Sequence, residues 1–262
     1  MDPNRQEFSR APSIASTILL AMGIALASCS ATQPENPNLG PRAAEKFFLQ
    51  GEILAEQGRA HEAIDAYHAA IRAAPDFATA YYDLGNQYAK LGRYEPAVEA
   101  YKRAIQKDSS MVKAYNNLGL AYTANGEPEK AIVVLRRATG MYPDYARAWN
   151  SLGLAYNARG EHSKAILTFK EAIEIAPGYS DAYNNLGVAY ANLDLYREAE
   201  DAYQRALRIQ PDNINAIFNL GQLYAAIGEN AKAEDQLAIL TDVDPWKAEA
   251  LRKAIVRGKP IR

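Results

Sequence analysis

The sequence is poor in the residues that build metal centres, disulfide frameworks and nucleic-acid surfaces. Its 262 residues include one cysteine and three histidines, and the formal net charge is −2. A single cysteine excludes a disulfide framework and a cysteine-based zinc site. The histidines, His61, His68 and His162, never lie four residues apart, so they form no helical metal-binding pair. The near-neutral charge gives no reason to expect a nucleic-acid partner.

Motifs of catalysis are also missing. The chain has no glycine-rich phosphate loop and no G-x-S-x-G nucleophile turn. Its carboxylates are spread over positions that the patterns below predict to be exposed, and they form no acid–base pair. We therefore expect no enzymatic activity, no cofactor and no small-molecule substrate.

What the chain has in abundance is internal repetition. Glycine recurs with a constant step of 34 residues, at Gly51, Gly85, Gly119, Gly153, Gly187 and Gly221. A constant period in this range signals a stack of helical repeats. Apolar residues, mostly aromatic, stand four before and three after these glycines, as in Tyr183 and Tyr190 around Gly187. These spacings place the aromatic residues on one face of a helix.

A second helix follows in each copy, with a stripe of small residues. Alanine stands twelve residues after the glycine in all six copies: Ala63, Ala97, Ala131, Ala165, Ala199 and Ala233. Between the two helices lies Gly58, Gly92, Gly126, Gly160 or Gly228, with Asp194 in the fifth copy. Glycine at a helix C-terminus adopts positive φ at little cost. The pattern therefore predicts a helix–turn–helix unit in which small residues allow the two helices to approach closely.

These columns resemble the tetratricopeptide repeat from about Ala44 to Trp246. The resemblance implies an all-α, right-handed superhelical solenoid of six 34-residue helix-turn-helix repeats plus a C-terminal capping helix. We divide the chain into a lipoprotein signal peptide (1–28), a flexible tether (29–43), a six-repeat array (44–244), and a capping helix with a basic tail (245–262). For the capping helix we expect a buried side formed by Trp246, Ala250, Leu251, Ala254 and Ile255.

The cysteine lies at the end of an apolar, uncharged run, Ser13 to Ser28, which is too short to span a membrane comfortably. Leu26-Ala27-Ser28-Cys29 resembles the bacterial lipobox, which implies cleavage before Cys29 and a lipid on its sulfur. The alternative is an uncleaved hydrophobic anchor with a chance cysteine. The lipobox interpretation predicts a protein that is held in the cell envelope through Cys29. If the cell has two membranes, we expect it on the outer membrane, facing the periplasm.

On each first helix, the positions six and three residues before the repeat glycine, and one and four residues after it, share a face turned away from the packing side. In this repeat family that face, called the groove face below, lines a concave groove. It carries an asparagine row (Asn116, Asn150 and Asn184) beside an aliphatic row (Leu120, Leu154 and Val188), with Tyr82 and Phe218 as aromatic anchors. The same face contributes Asn86, Lys113, Arg147 and Gln222.

Amide side chains both donate and accept hydrogen bonds, so we expect the asparagine row to face solvent and to pair with an extended peptide. The alternative is that asparagine is merely tolerated there. The neighbouring Asn117, Asn185 and Asn219 are interpreted as structural residues of the repeat.

One known subtype of this family can be excluded. Co-chaperone modules of this repeat bind a C-terminal carboxylate with a clamp of two lysines, two asparagines and an arginine. Asn86, Asn117 and Arg147 match three of those positions, but Tyr82 and Ser151 stand where two cations are needed. A receptor for chaperone tails is therefore not expected.

The leading hypothesis is a lipid-anchored scaffold for protein–protein interaction in the bacterial envelope. Repeats behind a lipobox resemble the lipoproteins that assist secretin assembly for type IV pili, and also adaptors of peptidoglycan hydrolases or proteases. The alternative is a non-catalytic regulatory or substrate-presenting subunit of a separate enzyme, such as a hydrolase, protease or glycosyltransferase.

Overall fold

A computed structural model describes residues 40–258, and within that range the chain is built of helices without strands. The helices are α1 (Gly40–Glu56), α2 (Ala60–Ala73), α3 (Ala78–Lys90), α4 (Tyr94–Lys107), α5 (Val112–Ala124), α6 (Pro128–Met141), α7 (Ala146–Ala158), α8 (His162–Ile175), α9 (Ser180–Ala191), α10 (Tyr196–Ile209), α11 (Ile214–Ala226), α12 (Asn230–Val243) and α13 (Pro245–Gly258). The predicted all-α repeat architecture is confirmed.

The chain divides into two compact units, one ending at Ser109 and one beginning at Ser110. In the first unit α1 pairs with α2 and α3 with α4, and α2 also packs on α3. The second unit holds the pairs α5–α6, α7–α8, α9–α10 and α11–α12, together with α13. Its first helices also contact one another directly, α5 with α7, α7 with α9 and α9 with α11.

Small residues set the spacing within each pair, as the columns predict. The six alanines twelve residues after the repeat glycines are all fully buried. A Cβ added at Gly51 would lie 2.6 Å from Cε1 of Tyr67, which packs directly on the glycine. Equivalent side chains cover the next four repeat glycines: Tyr101, Leu135, Phe169 and Tyr203. The large side chain of the second helix thus fills the space that the missing Cβ leaves.

The turns between paired helices also follow the prediction. Gly58 has φ of +75°, and the four other turn glycines have similar values. Asp194 holds φ of +59°, a conformation that costs energy for a residue with a Cβ. Its carboxylate accepts a hydrogen bond of 2.5 Å from the Tyr196 hydroxyl. The turn geometry is therefore kept in the fifth copy even without glycine.

One helix boundary and one buried face differ from the expectation. Helix α1 begins at Gly40, so the last four residues of the predicted tether are helical. In α13 the buried residues are Ala248, Leu251 and Ile255, whereas Trp246 is 89% exposed and Ala250 is exposed. At about 100° per residue, Trp246 and Ala250 lie on the side of the helix opposite that stripe. The prediction of a buried side was therefore right for Leu251 and Ile255, right in part for the half-buried Ala254, and wrong for Trp246 and Ala250.

Candidate functional site

The predicted groove-face residues lie on the first helices of both units. Tyr82 and Asn86 are on α3 of the first unit, and both are half-buried. The second unit places Lys113, Asn116 and Leu120 on α5, Arg147, Asn150 and Leu154 on α7, Asn184 and Val188 on α9, and Phe218 and Gln222 on α11. Because these four helices pack in succession, the second unit brings its members of the face together.

The asparagine row is buried, contrary to the expectation that it faces solvent. Asn116 is 4% exposed, and Asn150 and Asn184 are each 6% exposed. The reason is that the first helices of successive copies contact each other, so the next copy covers each asparagine. A buried amide must find hydrogen-bond partners inside the protein.

Those partners come from the neighbouring asparagine column. Asn185 on α9 donates from Nδ2 to Oδ1 of Asn150 on α7 over 3.0 Å. Asn219 on α11 donates in the same way to Oδ1 of Asn184 over 2.9 Å. Asn184 in turn donates to its neighbour Asn185 over 3.3 Å. Side-chain hydrogen bonds between asparagines therefore link the first helices of neighbouring copies, and each such link is called a rung below. These bonds confirm the structural interpretation of Asn185 and Asn219.

Asn116 departs from this pattern. Its Nδ2 donates to Oδ1 of Asn117 over 3.0 Å, as Asn184 does to Asn185. Its own Oδ1 is buried and has no hydrogen-bond partner in the described part of the chain. Ser151 stands on α7 at the position that Asn185 and Asn219 occupy in the next two copies. One rung is therefore incomplete, between α5 and α7.

The remaining groove-face residues of the second unit stay accessible to different degrees. Lys113, Arg147 and Gln222 are exposed, and Leu120 is 36% exposed. Leu154 is half-buried, and Val188 and Phe218 pack partly against the core. The face thus offers two cations and an aliphatic row around the asparagine rungs.

In the first unit the structure reveals a carboxylate that the sequence interpretation overlooked. Asn86 donates to Asp83 over 3.0 Å and accepts a hydrogen bond of 2.8 Å from the Tyr101 hydroxyl. Burial raises the pKa of the Asp83 carboxyl from 3.8 to about 6, the Asn86 hydrogen bond opposes that rise, and the Glu52 charge adds to it. The sequence signal for this carboxylate was an aspartate two residues before the repeat glycine, the position that Asn117, Asn185 and Asn219 occupy in other copies.

Other kinds of site find no support among residues 40–258. That range contains no group of three histidine, cysteine or carboxylate side chains placed to hold a metal ion. No helix within it is long and apolar enough to cross a membrane. Cys29 and the predicted signal peptide lie outside the described residues.

Comparison with sequence families matches most of the helical region. A TPR repeat model matches residues 51–92 and 85–126. Tetratricopeptide repeat models match residues 116–180, 180–213 and 202–235. A search of curated protein sequences found no significant match.

Three solved structures illustrate the range of similarity. MamA is 32% identical to this chain. The match covers 65% of this chain and 93% of MamA, and the TM-score is 0.57. YrrB, described as a TPR protein with an unusual peptide-binding site, is 26% identical over 66% of this chain and 90% of its own, with a TM-score of 0.53. PilW is described as a widely conserved type IV pilus biogenesis factor. It is 14% identical to this chain, the match covers 80% of this chain and 98% of PilW, and the TM-score is 0.71. This similarity shows a shared fold alone.

Proposed function

The chain belongs to the tetratricopeptide repeat family, and from that premise we propose that it is a lipid-anchored protein-interaction scaffold of the bacterial cell envelope. Such repeats are interaction modules rather than catalytic domains. The proposed partner is an extended peptide or partner segment held along the groove face.

The observation that carries this proposal is the continuous face formed by α5, α7, α9 and α11. These helices pack in succession and present Lys113, Arg147, Leu120 and Gln222 to solvent along one unit. A row of charged, polar and aliphatic side chains is suited to reading an extended segment. The peptide-binding site described for YrrB supports this use of the fold in a protein with 26% identity.

The envelope location rests on Cys29. The Leu26-Ala27-Ser28-Cys29 run places the cysteine where lipidation requires it. A lipid there would hold the repeats close to a membrane surface, facing the periplasm in a cell with two membranes.

Two narrower roles are compatible with such a scaffold. The first is assistance in assembling an envelope complex such as the type IV pilus secretin. The second is a regulatory or substrate-presenting role beside a separate peptidoglycan hydrolase, protease or glycosyltransferase. The identity of the bound partner distinguishes these roles.

Site-specific photo-crosslinking in bacterial cells tests the proposal. A photoreactive amino acid replaces Leu120 on the groove face, and the matched control replaces Val133, which is 71% exposed on the second helix α6. We expect a discrete crosslinked protein from position 120 and none from position 133. A partner captured through position 133 alone would show that the groove face is not the binding surface. Mass spectrometry of the captured protein then decides between secretin and enzyme partners.

A further inference from the structure

The most exposed large apolar side chain in the described range belongs to Trp246, at the start of α13. It is 89% exposed, whereas the opposite side of the same helix is buried through Ala248, Leu251 and Ile255. Trp149, the other tryptophan of the chain, is half-buried. An indole left in water keeps a large apolar surface available for contact with an apolar medium.

Two cations lie on the same side of the helix as this tryptophan. At about 100° per residue, Lys253 and Arg257 lie within about 20° of Trp246 around the helix axis, opposite the buried residues. Both cations are exposed, and so is Ala250, which lies between them and the tryptophan along the helix. These four residues are called the outer stripe of α13 below. The outer stripe therefore presents one large aromatic ring and two positive charges to solvent.

The positive charge of the protein is concentrated at this end of the chain. Residues 245–262 hold six lysines and arginines against one carboxylate, a net charge of +5, so residues 1–244 carry −7 of the total of −2. The one carboxylate is Glu249, which lies 2.7 Å from Arg252 and 3.4 Å from Lys253. It offsets a single cation, so the surface around the outer stripe stays basic.

We propose that the outer stripe of α13 binds the anionic phospholipid surface of the membrane, with the Trp246 indole at the level of the headgroups. The inference rests on the envelope location in the proposed function and adds a second contact with the same membrane. Lysine and arginine side chains are attracted to anionic lipid. Tryptophan suits the membrane interface because its ring is apolar and its N–H can donate a hydrogen bond.

The composition of the outer stripe favours a membrane over other partners. A second copy of this chain that used the same stripe would bring like charges together. An anionic polymer would attract the cations but would offer no apolar phase to the indole. An anionic bilayer supplies both, and a basic patch beside a lipid anchor strengthens membrane attachment.

Tryptophan fluorescence of the full-length protein tests this contact. Trp149→Phe leaves Trp246 as the only tryptophan, and Trp246→Phe leaves Trp149 as the matched control. Each protein is mixed with vesicles of phosphatidylglycerol or of phosphatidylcholine that carry brominated acyl chains, which quench an indole inside the bilayer. The rest of the chain is the same in both variants, so a difference between them reports the tryptophan that remains. The difference between the wild-type protein and Trp246→Phe gives the same information without a change at Trp149.

We expect phosphatidylglycerol vesicles to shift the Trp246 emission to shorter wavelength and the brominated lipid to quench it. Trp149 should show neither effect, since it lies on α7 and is half-buried there. Phosphatidylcholine vesicles should quench Trp246 far less, and salt should weaken the quenching by phosphatidylglycerol because it screens exposed charges.

Charge reversal tests the role of the two cations. In the Trp149→Phe protein, Lys253→Glu with Arg257→Glu should raise the lipid concentration for half-maximal quenching about ten-fold or more, because each cation near an anionic surface adds attraction. The control is Arg205→Glu with Arg208→Glu, which changes the net charge equally at two exposed positions of α10. This control should leave the quenching unchanged, and thermal melts confirm that each variant is folded.

Absence of quenching at Trp246, or equal quenching by the two lipids, overturns the inference. Equal effects of the two charge reversals overturn it as well. A shift that appears without lipid and grows with protein concentration would assign the stripe to contact with a second copy. A shift with soluble anionic polymer but no quenching by lipid would assign it to a polymer.

Failure of this inference is distinguishable from failure of the proposed function. The crosslink formed at position 120 tests the scaffold, and lipid labelling of Cys29 tests the anchor. Neither measurement depends on the Trp246 fluorescence.

Discussion

Leu251, on the C-terminal helix α13, fills the space beside Gly221 that a residue of the second helix fills in every earlier copy. A Cβ added at Gly221 would lie 2.5 Å from Cδ2 of Leu251, whereas the corresponding neighbour of Gly51 is Tyr67. Leu237, which stands in the Tyr67 column, is only half-buried. The capping helix therefore completes the core of the last repeat rather than simply covering it.

Truncating this side chain should destabilise the second unit. Leu251 is fully buried against the cluster formed with Leu220 and Leu240, so Leu251→Ala leaves a cavity. We expect a loss of about 2–5 kcal/mol in the free energy of unfolding, measured by urea denaturation. The matched control is Val256→Ala on the exposed side of the same helix, for which we expect a change within about 0.5 kcal/mol. Equal losses from both changes would show that α13 does not pack as described.

The asparagine rungs predict that two similar substitutions lower the free energy of unfolding by different amounts. Asn184→Ala leaves the Asn219 amide without its acceptor, so we expect a loss of about 1–3 kcal/mol. Asn116→Ala removes an oxygen that has no partner, and its cost should be smaller by about 1 kcal/mol or more. Thermal and urea unfolding of the two variants measure the difference. An equal loss in both would contradict the rung between Asn184 and Asn219.

Asp83 predicts a dependence of stability on pH in the first unit. Its pKa is raised to about 6 in the folded chain, so the folded state binds the proton more tightly than the unfolded state. The contribution of this group to stability is therefore fully present below its ordinary pKa and is lost as the pH rises toward 6.

Asp83→Asn should remove this dependence, since asparagine is uncharged and occupies the same column in three other copies. We expect the variant to be more stable than wild type by about 1–3 kcal/mol at pH 8 and by much less at pH 4. Asp65→Asn, at an exposed carboxylate on α2, is the control. Urea unfolding across this pH range provides the measurement, and a constant difference for Asp83→Asn would refute the burial of its charge.

Membrane attachment is predicted to depend on Cys29. The full-length chain with Cys29→Ser should lose both metabolic lipid labelling and processing to the mature form, because the thiol is the group that is alkylated. Labelled palmitate and gel mobility in bacterial cells provide the readout. Ser30→Ala, one residue away, should be labelled normally. Identical labelling and processing of the Cys29→Ser chain would favour the uncleaved anchor.

The sequence by itself determined the helices, their pairing and the small-residue contacts, because these depend on local periodicity that six copies repeat. Gly85 and Ala97 predict that the two helices of their copy approach closely, and the structure confirms it. The turn at Asp194 was also predictable, since the surrounding copies define its conformation.

Only the tertiary structure decided which polar groups satisfy one another. Whether Asn150 faces solvent or a neighbour depends on how closely the next copy approaches, and Asn185 supplies its partner from 35 residues away. The side of α13 that is buried was equally undetermined, because the residues after the last full copy no longer follow its columns. Leu251 and Trp246 differ in burial since α11 and α12 cover one side of that helix, a relationship that local periodicity does not contain.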